Sequence, residues 1–165
     1  MNVSVNVFDP RDMQIATHEL EAYLADLQDK ADQVCERLAN IGAERATVGF
    51  SEAFYQGTND VQVMVEPIQN GYRVRASGNA VLFIEFGAGV THGYGHPEPN
   101  GNVPGSYPGK GHWDDPHGWW FPDAGTEGAD RYTHTYGNPP SAAMYQAQQE
   151  CIRNIERVVN EVFNT

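Results

Sequence analysis

Apolar and polar positions divide this chain into two long helical patterns, a set of short alternating runs and one stretch with no pattern. Val3, Val5 and Val7 alternate with Asn2, Ser4 and Asn6, which predicts a half-buried strand. Asp9-Pro10 then opens a helix, with Asp9 as N-cap and Pro10 at the first helical position, where its missing amide hydrogen costs nothing. Leu20, Leu24, Leu27, Ala31, Val34, Leu38 and Ile41 follow at spacings of 4, 3, 4, 3, 4 and 3, an unbroken apolar seam. Gly42 comes directly after it and fits a left-handed C-cap, so the helix is expected to end near Ile41. Such a helix lies across its own sheet or packs on a copy of itself.

Residues 46–59 read as a short strand or an irregular link. Val61, Val63 and Val65 then alternate with polar neighbours, as do Tyr72, Val74 and Ala76, and Gln69-Asn70-Gly71 between them signals a tight hairpin turn. Val81 to Phe86 is the most hydrophobic run and is apolar on both faces, which predicts a central covered strand closing an antiparallel meander. The pattern stops at Gly87. Residues 87–137 hold all three tryptophans, five of the six histidines and twelve of the seventeen glycines. A loop this long is functional or disordered, and its aromatic content favours an ordered insertion. Phe121 and the segment from Arg131 to Tyr136 are candidates for a short strand or hairpin within it. From about Ser141 to Phe163, Met144, Ala147, Cys151, Ile155, Val158 and Val162 form a last helical stripe, with Ser141 or Asn138 near its cap.

The expectation is one α+β domain over residues 1–165. An antiparallel sheet of about four to five strands is packed by a long N-terminal helix and a C-terminal helix, with 87–137 as a long Gly/Pro/aromatic loop insertion. A chain of 165 residues buries a core without disulfides or metals. Cys35 and Cys151 both fall on apolar stripes and read as small buried hydrophobes. The net charge of −12 argues against coating nucleic acid or anionic membrane, both of which need clustered Lys and Arg. It suits solubility, a cationic partner or the wall of a passage that conducts DNA without gripping it. No signal peptide is expected at the N-terminus, and no apolar run reaches membrane-spanning length.

Three sets of residues could carry chemistry. His92, His96, His112, Asp114, Asp115 and His117 combine metal-ligating types at short spacing, but Gly93, Gly95 and Pro97 argue against the helix that a His92–His96 ligand pair would need. Trp113, Trp119, Trp120 and Phe121 could stack on sugar rings or anchor a protein interface. Glu85 is a carboxylate inside the most apolar run; buried, it needs a partner, and Arg73 or Arg75 on the adjacent strand would serve. No nucleophile elbow, phosphate loop or paired Cys motif is present, and no catalytic residue, metal site or cofactor is assigned.

The run Phe83-Ile84-Glu85-Phe86-Gly87, followed later by Pro139, Pro140, Met144 and Ala147 opening the last helix, resembles the tailed-phage family of head–tail joining and tail-completion proteins. In that family an apolar strand ends in a Glu-aromatic-Gly step, a variable loop follows, and a proline-containing segment opens the final helix. Ala88 replaces the usual Thr or Ser. The resemblance implies a non-enzymatic virion subunit, made in the bacterial cytoplasm and assembled as a hexameric ring at the neck. It implies neck, connector or tail-tube proteins as partners and DNA passing through without sequence-specific binding. Glu85, Phe86, Gly87, Trp113, Trp119, Trp120 and Phe121 are the interface residues this suggests. A metal-dependent hydrolase built on the histidines and a carbohydrate-binding module built on the tryptophans are the alternatives.

Overall fold

The computed structural model describes residues 5–6, 8–89, 96–97, 115–122 and 132–164. In chain order these form α1 (Pro10–Ser51), β1 (Gln62–Ile68), β2 (Gly71–Ser77), α2 (Val81–Phe86), β3 (Trp119–Pro122), β4 (Tyr132–Thr135) and α3 (Ala143–Phe163). The architecture is α+β, with a long N-terminal helix, a C-terminal helix and small antiparallel sheets. The single sheet of four to five strands is not what forms: the described strands make two separate two-stranded hairpins, β1–β2 and β3–β4. The strand expected over residues 2–8 falls largely outside the described residues, and Val5, Asn6 and Phe8 lie in no strand.

Helix α1 begins as its sequence dictates. The Asp9 carboxylate accepts a 2.9 Å hydrogen bond from the Arg11 amide, and Pro10 occupies the first turn. The helix does not stop at Gly42; it runs on for 42 residues in all, to Ser51. The reason is tertiary. α3 runs antiparallel to the end of α1, with Arg37 near Glu161, Cys151 Sγ donating to Leu38 O at 3.2 Å, and Arg45 hydrogen-bonded to Gln146. A Cβ on Gly42 would lie 2.7 Å from Cys151 Sγ, and one on Gly49 would lie 2.8 Å from the Ala143 Cβ. Gly42 is therefore a close-approach residue rather than a cap, and packing overrides the low helix propensity of the stretch Thr47-Val48-Gly49. The Asn59 side-chain amide satisfies the Phe50 carbonyl at the frayed end of the helix (2.8 Å).

The core sits where four elements meet. Ala46 and Phe50 of α1, Ala80 and Ile84 around α2, and Ala143 and Ala147 of α3 are buried together. The β1–β2 hairpin covers them with Val63 and Ala76, which are directly paired across the two strands. Its two-residue turn is Gln69-Asn70, and Gly71 alone takes a positive φ (137°). Cys35 is exposed, contrary to expectation; Cys151 is half-buried and its thiol is pushed up by burial. No helix among the described residues is long and apolar enough to cross a membrane.

Candidate functional site

Residues 81–86 form a helix, not a strand. A six-residue apolar run is compatible with either, and the flanking backbone decides it here. Asp60 reaches across to the turn before α2, accepting from the Asn79 amide (2.8 Å), the Asn79 side chain (2.8 Å) and the Ala80 amide (2.9 Å). Those bonds hold the Asp60 carboxyl below its ordinary value. Gly78 has φ 142°, and a Cβ there would lie 2.7 Å from the Asp60 carbonyl oxygen. At the other end, Gly87 (φ 77°) and Gly89 (φ 84°) take conformations that side chains resist. Their positive φ lets Ala88 bridge to Asn138, with amide–carbonyl bonds of 2.9 and 3.0 Å in the two directions.

As a result Glu85 has no cross-strand neighbour, and Arg75 pairs with Glu66 instead (3.3 Å). The Glu85 carboxylate is turned onto the start of α3. Oε2 accepts from the Met144 amide at 2.9 Å and Oε1 from the Tyr145 amide at 3.2 Å. His96 Nε2 lies 3.2 Å from Oε1, and both side chains are almost wholly buried, at 7% and 6% exposure. The His96 ring packs on Phe86 (centroids 4.7 Å apart) and edge-on to Tyr145 (5.9 Å). A carboxylate on the free amides of a first helical turn satisfies orphan donors and meets the positive end of the helix dipole.

Glu85 thus does the capping expected of Ser141 or Asn138. The residue in the N-cap position is Ala142, in a left-handed conformation (φ 50°, ψ 38°) with no side-chain cap of its own. The Ser141 hydroxyl is buried with no hydrogen-bond partner among the described residues. Asn138 turns to α2 instead, where its side-chain amide donates to the Phe83 carbonyl (2.8 Å). Two further bonds close the joint, Ser141 N to Ile84 O (2.8 Å) and Ala142 N to Glu85 O (3.1 Å). An open groove of about 370 Å³ runs beside it, lined in part by Leu82, Phe86, Met144 and Tyr145.

The aromatic residues form a second cluster. In β3, Trp119 and Phe121 line a cavity of about 160 Å³ shared with Tyr55, Phe83, Ala88 and Asn138. Trp120 points outward, 65% exposed, with its ring edge-on to His134 at 5.0 Å. His134 in turn contacts Tyr136 at 4.9 Å and the His117 carbonyl at 3.0 Å. Trp113, His92, His112 and Asp114 lie outside the described residues. The rest of the histidine set is divided: His96 belongs to the Glu85 joint, while His117 folds back on Asp115 in a local turn (2.8 Å to its amide, 3.1 Å to its ring). Among the described residues no group of three or more His, Cys, Asp or Glu side chains could hold a metal ion. Sequence reasoning singled out Glu85 but missed its role as a cap in trans and missed Asp60. The Ala142 N-cap without a polar side chain was the available signal for the first.

No protein-family description matches the chain, and no curated protein and no solved structure matches it either.

Proposed function

We infer that the chain is a structural subunit of a tailed phage, completing the tail or joining it to the head. It assembles as a ring of about six copies around a passage for DNA. One observation carries this reading. The two segments on which the family likeness rests, 83–87 and 139–147, are distant in sequence but form one joint through Glu85, Ala88 and Asn138. A motif whose carboxylate is occupied by two backbone amides and a histidine serves architecture. In the ring, Glu85 and Gly87 act by fixing the position of Phe86, Leu82 and Tyr145 along the neighbouring groove, which meets the next subunit. Trp120 is the aromatic anchor offered on the other hairpin. The acidic surface tolerates DNA passing through without gripping it.

The test is negative-stain microscopy and light scattering of the native protein, alone and added to isolated tails and heads, with bound metal assayed on the same sample. Rings, free or seated on the particle, are expected. A chain that stays monomeric in every mixture and carries stoichiometric zinc contradicts the reading and favours the hydrolase.

A further inference from the structure

Alternation along the β3–β4 hairpin turns one of its faces toward the body. Trp119 and Phe121 line the cavity of about 160 Å³, and Thr135, directly paired with Trp119, shares their face and lines it too. Tyr55, Phe83 and Asn138 add to the wall. Four of these six residues are aromatic, and none of the described residues that line the cavity carries a charge. The volume suits one six-membered ring, since an apolar cavity of about 150 Å³ takes up benzene. Aromatic walls favour an aromatic guest through face and edge contacts. An ion would lose its hydration there with no counter-charge in the wall.

Two polar side chains of the wall are deeply buried and only partly used. Thr135 is 5% exposed and Asn138 is 4% exposed. Asn138 Nδ2 donates to Phe83 O (2.8 Å) and to Pro139 O (3.3 Å), and because both partners are acceptors the orientation of the carboxamide is fixed. Its Oδ1 accepts no hydrogen bond among the described residues and, unlike the Ser141 hydroxyl, is not sealed from open space. Thr135 Oγ1 accepts from the Gly137 amide at 3.0 Å, and its own hydrogen has no acceptor among the described residues. The wall therefore holds one unspent acceptor and one unspent donor. A hydroxyl both donates and accepts, so a single hydroxyl on the guest meets both.

We propose that this cavity binds a small neutral phenol. The ring packs against Tyr55, Phe83, Trp119 and Phe121, and the hydroxyl donates to Asn138 Oδ1 while accepting from the Thr135 hydroxyl. The site goes beyond the ring-assembly reading and does not depend on it, because one subunit supplies the whole cavity.

NMR titration of the full chain with phenol, beside toluene as its isostere without the hydroxyl, tests the proposal. Phenol is expected to shift the Trp119 indole signal saturably, with a dissociation constant of about 1 mM or lower, and to show ring-proton NOEs to Trp119 and Phe121. Toluene is expected to bind at least about fivefold more weakly, since it leaves the Asn138 oxygen and the Thr135 hydroxyl unpaired. Thr135→Val should weaken phenol by about threefold or more and leave toluene no weaker. That variant also removes the acceptor of the Gly137 amide, so the wild-type contrast decides the matter where the variant is unstable. A Trp119 signal that phenol does not shift saturably overturns the proposal. So does toluene binding as tightly as phenol.

Discussion

The two halves of α1 share one helix and one apolar spacing yet end in opposite surroundings. From Ala39 to Phe50 the buried positions are Ala39, Gly42, Ala46 and Phe50, and Gly49 lies against Ala143. From Met13 to Leu24 the large apolar side chains stand in solvent, and Ala16 is the one buried position. The difference is size. Small residues at spacings of three and four let a second helix come close, so that α3 packs through Ala143 and Ala147 with backbone near backbone. Leucines at the same spacing hold a neighbour at a greater distance and, without one from the same chain, remain open. Periodicity therefore marks a seam, and side-chain volume indicates which kind of partner fills it.

The strongest way to break that contrast is to loosen the packed half at its joint. Glu85→Ala leaves two helix-terminal amides and the buried His96 without their acceptor. Loss of about 3 kcal/mol is expected, since hydrogen bonds to buried charges are each worth about 1.5–3 kcal/mol. Urea denaturation reads it as a lower midpoint, and residues 13–29 of α1, which have no contact with Glu85 among the described residues, keep their helicity. A smaller effect sharpens the contrast by pH. The Asp60 carboxyl titrates below its ordinary value of 3.8 in the folded chain. Its contribution is fully present above that value and is lost as pH falls through the lower, folded one. The stability difference between wild type and Asp60→Asn should therefore be constant from neutral pH down to about 4 and shrink below it. Denaturation at a series of pH values checks this, with residues 13–29 again unaffected.

Much of the fold was legible in the chain. The Asp9 cap, the 61–77 hairpin and the C-terminal helix follow from local chemistry, and they form as that chemistry directs. The Trp119–Pro122 and Tyr132–Thr135 hairpin falls where short strands were expected inside the patternless stretch. Other features depend on long-range contact and leave little local trace. Gly42 in a sequence looks like a helix stop, and only the Cys151 sulfur lying against it shows why glycine is needed mid-helix. Val81 to Phe86 has strand composition, but Asp60 twenty residues earlier and Gly87 at its end make it a helix turned toward α3. The importance of Glu85 was readable from a lone carboxylate in an apolar run. Its partner was not, because the capped amides lie 59 and 60 residues further on.

Amide hydrogen exchange along α1, followed by fragment mass spectrometry, tests the division of this helix most directly. The account predicts a sharp rise in protection between Asp29 and Leu38. Residues 31–51 should open only with the whole fold, while residues 14–29 exchange quickly. Uniform protection from Met13 to Phe50 would contradict it.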